Sequence, residues 1–342
     1  MTGNSKNKIR IALDSMGGDF APVNEVQGAF LAYKEVANSI DLEIVFVGNQ
    51  NKINEAIAQT QLPESAYSII HTDDVITMHD DPVLALRNKQ GSSLFVAAKL
   101  HSEGKADAFV SAGNTGAMLS ISTMLLGRVK GVSRPTIGAM MPTVSGRPTF
   151  VLDVGATIDL RPRFLFEFAV MGSTFLQHSL GIERPSVALL NIGEEETKGT
   201  DAIRETYQML SNSSLNFIGN IEGRDILTGA ADVVVCDGFT GNIVLKLAES
   251  FINILKSKIK NYSSRSFLNK LKVGMMVPTL KNILSEFDYQ EYGGVPLLGV
   301  NGVVIIGHGK SSPKAIKNMI IRSIEFSLNN INSKIENALQ LT

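Results

Sequence analysis

Five short segments of this chain set glycine beside hydroxyl, amide or charged side chains, and each follows a run of apolar residues. They are Asp14-Ser15-Met16-Gly17-Gly18-Asp19, Ser111-Ala112-Gly113-Asn114-Thr115-Gly116, Asp153-Val154-Gly155-Ala156-Thr157, Asn191-Ile192-Gly193-Glu194-Glu195-Glu196-Thr197-Lys198-Gly199 and Cys236-Asp237-Gly238-Phe239-Thr240-Gly241-Asn242. Glycine lets backbone N–H groups approach an anion closely, and a helix start adds partial positive charge. Such loops suit a phosphate or a phosphate-bearing substrate, and their recurrence predicts one cleft with many anion donors. Each loop also has a plainer reading. Asp14 and Asp19 would repel phosphate, which leaves helix capping or the orientation of neighbours open to them. Asn114 or Thr115 suits a helix cap, the Asp153 loop suits a structural turn, and Lys198 among acids suits a solvated charge run.

Enzyme-centred covalent chemistry finds no support. There is no Gly-x-Ser-x-Gly elbow, and Cys236, the single cysteine, ends an apolar run where inert packing is the expected role. His71, His79, His101 and His178 are scattered without metal-ligand spacing; His308, in Gly307-His308-Gly309 after an apolar run, differs in context only, and a place facing the cleft is open to it beside the plainer surface or core reading. No Gly-x-Gly-x-x-Gly with an acid about 20 positions on opens a helix, which argues against a dinucleotide. The sequence therefore predicts neither a metal nor a cofactor.

The elements that must position these loops are six apolar runs, at 9–13, 42–47, 108–110, 150–152, 186–190 and 231–235. Each leads into a helical pattern, which predicts repeated βα units on a mostly parallel sheet in a layered, Rossmann-like α/β fold. With 342 residues, 44% hydrophobic and 19% charged, the chain can bury a large core, and one α/β unit over 8–342 is expected. A net charge of −1 gives no overall attraction to nucleic acid. One cysteine excludes an internal disulfide and fits a reducing, cytoplasmic setting. Residues 1–8 are polar, and no apolar run approaches the roughly 18–20 residues of a membrane span, so any membrane contact is expected to be peripheral.

The stretch 249–290 breaks the pattern. Between Glu249 and Glu286 there is no acid, while Lys256, Lys258, Lys260, Arg265, Lys270, Lys272 and Lys281 all occur. Phe251, Leu255 and Ile259, then Leu280, Ile283, Leu284 and Phe287, recur at helical spacing and predict a projecting helical pair, with a turn at Tyr262-Ser263-Ser264 and a connecting segment over 267–280. That segment carries Leu268, Leu271, Val273, Met275, Met276 and Val277, too apolar for an exposed bend. A dimer interface, internal packing or docking on an anionic membrane would cover it.

The segments 14–22, 111–117, 189–199, 232–246 and 292–300 resemble, in order, the signature segments of the bacterial phosphate acyltransferase family, and the resemblance runs from residue 9 to about residue 330. It implies a fold like those of phosphotransacetylases and isopropylmalate dehydrogenases. It also implies a homodimer, peripherally bound at the inner face of the membrane, that transfers a fatty acyl group from acyl carrier protein to inorganic phosphate for phospholipid synthesis. Phosphate is then the nucleophile. Lys198 would bind it and stabilise the tetrahedral intermediate, with Glu194 or Glu195 holding the lysine, and Asn242 would donate to the oxyanion or to phosphate. Asp14, Gly17, Gly18, Gly113, Asn114, Thr115, Asp153, Gly193, Gly238 and Gly241 would line the substrate, and Leu271, Met275, Met276 and Val277 would meet the membrane. Ser15, Phe20 and Thr157 stand where the family usually has alanine, histidine and asparagine, which leaves the role of the third loop open. A phosphotransacetylase using acyl-coenzyme A is the nearest alternative and needs neither a protein-docking surface nor the helical pair.

Overall fold

A computed structural model describes residues 7–285 and 293–341. Its strands are β1 (Asn7–Asp14), β2 (Ile40–Gly48), β3 (Tyr67–His71), β4 (Ala108–Ser111), β5 (Thr136–Met141), β6 (Thr149–Leu152), β7 (Ser186–Leu190), β8 (Asn216–Ile221), β9 (Val233–Val235), β10 (Val295–Leu298) and β11 (Val304–Ile306). They form one sheet in the order β3-β2-β1-β4-β11-β10-β5-β6-β9-β7-β8. All six expected runs are strands of this sheet.

Side chains alternate across a strand, and here both faces are apolar. Ile9, Ile11, Leu13, Val110, Leu152 and Val233 point into one core, and Ala12, Phe109, Val151 and Val234 into the other. Two apolar faces require two helix layers. The first core is covered by the helices Val23–Val36, Pro162–Ser179 and Pro313–Asn329, the second by Ser93–Ser102 and Thr115–Leu126. Phe175 ties the first layer together. It stacks on Phe150 of β6 at 4.8 Å and meets Phe326 edge-on at 4.9 Å.

Pairing is parallel except along β11-β10-β5-β6, where each neighbour is antiparallel. This seam separates two parallel groups, β3-β2-β1-β4-β11 and β6-β9-β7-β8, which consequently run in opposite senses. The loops at Asp14 and Ser111 leave the first group, and those at Asp153, Asn191 and Cys236 leave the second.

The basic excursion is a pair of helices, Gly238–Ser263 and Phe267–Ser285. The segment 267–280, expected to connect two helices, is itself helical. Leucine, lysine and methionine, all good helix formers, fill its first turns, and Pro278 is carried inside the helix although it supplies no N–H. Only 264–266 lie between the two. Phe267, Leu268, Leu271, Met275, Met276 and Val277 are all exposed, Met275 by 70%. Residues 286–290, including Phe287, and Tyr292 lie outside the described residues, as do the side chains of Lys281, Ile283 and Leu284. Among the described residues no helix is long and apolar enough to cross a membrane.

Candidate functional site

Asp14 ends β1 and is completely buried. Ser111 Oγ donates to Asp14 Oδ2 at 2.6 Å, Gly113 N–H donates to Ser111 Oγ at 2.9 Å, and Met16 N–H donates to Asp14 Oδ1 at 3.1 Å. This chain of hydrogen bonds welds the first loop to the second. Burial pushes the Asp14 carboxyl above its usual range, against the Ser111 hydroxyl and the loop N–H groups that hold it down. The backbones meet so closely that a β-carbon on Gly17 would lie 2.4 Å from Asp14 Oδ2 and 2.9 Å from Gly113 Cα. Asp14 is thus the acceptor around which both loops are built.

Asn114 caps the helix Thr115–Leu126, its Oδ1 accepting from Ala117 N–H at 3.0 Å. Its Nδ2 donates to Thr77 O and to Asp80 O, each at 3.1 Å. Both amide hydrogens are therefore committed to the protein, and Gly113 N–H is committed to Ser111. What this loop offers an anion is the first-turn N–H groups of Thr115 and Gly116. The turn bearing His308 joins the same group: Gly307 N–H donates to Ser111 O at 2.8 Å and Asp19 N–H to Gly309 O at 2.7 Å. His308 Nδ1 accepts from Lys310 N–H at 3.1 Å.

The second group forms around Asp153, also completely buried. Its Oδ1 accepts from the N–H groups of Ala156 at 2.9 Å, Gly155 at 3.0 Å and Ile137 at 3.3 Å. Burial raises its pKa and these N–H groups lower it. Asp153 Oδ2 and Thr157 Oγ1 are buried with no partner. Both residues press on Gly238, where a β-carbon would lie 2.8 Å from Asp153 Oδ2 and 2.5 Å from Thr157 O. Buried polar atoms without partners are uncommon, and two at one turn single it out. Asp237 caps the helix Gly238–Ser263, accepting from Thr240 N–H at 2.9 Å and from Thr240 Oγ at 2.6 Å. That cap fixes the first turn, which presents the exposed Asn242 beside Gly155, 3.8 Å from where its β-carbon would stand. Cys236 lies beneath, its Sγ donating to Asp153 O at 3.4 Å, and burial pushes its thiol well above the usual range. It is no nucleophile.

Lys198 is about half exposed, with its Nζ 3.9 Å from Glu195 Oε1, while Glu194 turns away to Arg224 at 3.7 Å. Glu195 is therefore the acid that accompanies Lys198. The loop is held by Asn191, whose Nδ2 donates to Lys198 O at 3.1 Å, and by Asn220, whose Nδ2 donates to Glu195 O at 3.0 Å. Gly199 closes it at φ +85°, where a β-carbon would also lie 2.6 Å from Asn191 Oδ1. Among the described residues no hydrogen bond or ion pair joins Lys198 to Asn242. Their loops do leave neighbouring strands, with Leu189 of β7 opposite Val235 of β9. The five loops thus form a group of two and a group of three, divided by β10 and β5.

A family model described as fatty acid synthesis protein matches residues 9–334. A phosphate acyltransferase of Dictyoglomus turgidum is 43% identical over 333 residues, covering 96% of both chains. Another, of Heliobacterium modesticaldum, is 47% identical over 313 residues, 91% of this chain and 92% of the relative. The chain belongs to the phosphate acyltransferase family. Membership makes it an enzyme of the acyltransferase class. A phosphotransacetylase from Streptococcus pyogenes shares the fold of this acyltransferase with a TM-score of 0.59 at 17% identity, over 95% of both chains.

Sequence reasoning passed over Asn220 and Glu25. Asn220 looks like any turn-forming residue at a strand end. Glu25 sits in the first turn of the helix Val23–Val36, where an acid ordinarily complements the helix dipole from the surface. Here it is buried, 1% exposed, with Oε2 unpartnered. Burial, with the nearby Asp14 adding to it, raises its pKa from 4.5 to about 8. A folded pKa above the unfolded one means the folded chain keeps a proton that the unfolded chain has lost. The contribution of Glu25 to stability is therefore fully present below about pH 4.5 and is lost as pH rises to about 8.

Proposed function

We propose that the acyltransferase moves a fatty acyl group from acyl carrier protein to inorganic phosphate, giving an acyl phosphate for phospholipid synthesis. The observation that carries this reading is the pair of loops presenting Lys198 and Asn242 from adjacent strands, beside the unpartnered Asp153 and Thr157 atoms at Gly238. A phosphate oxygen attacks the thioester carbon, a C–O bond forms, the C–S bond breaks, and the thiolate takes up a proton. Lys198 neutralises the phosphate and the tetrahedral oxyanion, and Asn242 Nδ2 donates to the same charge. With phosphate as nucleophile the enzyme needs none of its own, in keeping with the buried, high-pKa Cys236.

The first group of loops enters through the twist of the sheet. Six steps separate β1 from β9. At roughly 20–25° per step the strand direction turns by roughly 120–150°. Added to the reversal of sense across the seam, this aims the carboxyl edges of both groups toward nearly the same side. At about 4.8 Å per strand the loop at Thr115 still leaves the sheet roughly 24 Å along it from the loop at Asn242, so its first-turn N–H groups would meet a different part of the substrate from the phosphate held by Lys198.

The decisive experiment follows acyl phosphate formation from palmitoyl-acyl carrier protein and inorganic phosphate, with palmitoyl- and acetyl-coenzyme A in parallel. Turnover of the carrier-protein thioester is expected. Turnover of coenzyme A thioesters alone would replace this reading with a phosphotransacetylase.

The exposed helical pair supports a homodimer held at the inner face of the membrane. Six exposed large apolar side chains over 267–277 lie among Lys256, Lys258, Lys260, Arg265, Lys270 and Lys272. A basic residue near an anionic surface contributes about 1 kcal/mol, and a buried large side chain about 1.5–3 kcal/mol. Flotation with anionic vesicles is expected to recover the parent at low salt and to lose Met275→Asp/Met276→Asp. Equal recovery of both proteins would assign these residues to the subunit interface instead.

A further inference from the structure

We infer that one face of the helix Gly238–Ser263 is the track for the acyl chain: the chain trailing from a thioester carbonyl at Asn242 lies along Phe239, Ile243, Leu247 and Phe251. This deepens the reading of the reaction as fatty acyl transfer and rests on it. The four side chains recur at every fourth position, and each is at least half exposed. At about 100° per residue, a step of four residues turns the direction by only about 40°, so they form one slowly winding ridge. The helix packs on the second core through Val244, Leu245 and Ala248 instead, and it meets Asp153 O at Gly241. The ridge therefore points away from the sheet. Asn242, Lys246 and Ser250 stand one position before Ile243, Leu247 and Phe251 and make a polar row alongside, with Lys246 paired to Glu249 at 3.0 Å. A polar row and an apolar row thus both begin at the proposed site. Two other loops of this group repeat the mixture, since Ile158, next to Thr157, and Ile192, in the Lys198 loop, are exposed large apolar side chains.

An acyl chain fits this ridge in width, length and origin. A stable protein interface takes about 20–30 residues a side, whereas a single ridge is one side chain wide, which suits one extended hydrocarbon. From Phe239 to Phe251 the helix rises roughly 18 Å. A membrane acyl chain fills half of a hydrocarbon core about 30 Å thick, which is roughly 15 Å. As for origin, a carbonyl held by Asn242 must lead its alkyl chain out of a group of polar loops, and the next residue, Ile243, already belongs to the ridge.

The test compares kcat/KM for octanoyl- and palmitoyl-acyl carrier protein in the parent, in Leu247→Asp and in Ile243→Asp. An octanoyl chain, about half as long, reaches roughly 7–8 Å, so it passes Ile243, about 6 Å along from Phe239, and stops short of Leu247, about 12 Å along. Leu247→Asp is therefore expected to lower the palmitoyl-to-octanoyl ratio about tenfold, the loss of about two methylene contacts. Leu247→Ala is expected to move the ratio the same way by less, and Ile243→Asp to lower both substrates together. Both positions are exposed, so thermal melts of the variants are expected to match the parent. A ratio unchanged in Leu247→Asp would overturn the track, and if that variant also sediments as a monomer where the parent is a dimer, the ridge belongs to a second copy of the chain. Binding of the fluorescent fatty acid cis-parinaric acid needs no turnover and keeps the two readings apart. If the parent turns over neither thioester, the functional reading fails by itself; weaker parinaric acid binding by Leu247→Asp than by the parent would still support the track, and equal binding would remove it.

Discussion

Replacing Lys198 by alanine is expected to lower kcat for acyl phosphate formation by roughly 10²–10³-fold, the usual effect of removing one group that stabilises a developing oxyanion. The fold should not notice. The Lys198 side chain is half exposed, and its one ion pair among the described residues, to Glu195, is long at 3.9 Å. Its loop is fastened through the backbone, by Asn191 and Asn220, and those bonds survive truncation of the side chain. Stability should therefore change by no more than about 0.5 kcal/mol. Steady-state kinetics with acyl-acyl carrier protein and phosphate, beside a thermal melt, separate the two effects. If activity stays within a few-fold of the parent, Lys198 is a solvated charge and the transition state is held elsewhere.

Gly241→Ala is expected to damage both stability and activity. A β-carbon there would lie 1.8 Å from Asp153 O, 2.9 Å from Asp153 C and 3.0 Å from Cys236 Sγ. Two of those atoms are backbone and cannot rotate away, so the helix start and the Asp153 loop must part. Forcing atoms into a closed site costs about 1–3 kcal/mol, and contact with immovable backbone puts this case at about 3 kcal/mol or more. The same displacement shifts Asn242, one residue on. Asn242→Ala is the control: the same fall in kcat is expected, at parent stability, because its side chain is exposed. A Gly241→Ala protein with the parent's melting temperature and kcat would show that the close approach of helix and loop is dispensable.

The six apolar runs were legible because a strand buried on both faces needs a mostly apolar stretch, and 9–13 or 186–190 supplies one before a polar glycine loop. The seam was not legible. Apolar patterning says which residues are buried and nothing about which way a strand runs, and β10 and β11 are only four and three residues long. The separation of five loops into two groups therefore had to come from the pairing. Within the loops, the glycines marked points of close backbone approach, which leaves no alternative to glycine at Gly17, Gly238 or Gly241. Their partners escaped notice. Asn114 looked like a donor to substrate, but what its amide hydrogens reach, Thr77 and Asp80, lies more than thirty positions away. Glu25 went unread because helix position alone does not reveal that a glycine pair will lie against it. The segment 267–280 read as a connection because its apolar residues surround the helix instead of forming a stripe, and because Pro278 suggests a break.

The helix Gly238–Ser263 has its first turn at the proposed site and its last beside the exposed apolar helix. At 1.5 Å per residue, its 26 residues make a rod roughly 39 Å long. A hydrogen-bonded rod of that length passes a rotation at one end to the other with little loss. If Asn242 meets the substrate as proposed, whatever grips the tip near Tyr262 sets the angle of that contact, and attachment and turnover would share a single lever arm.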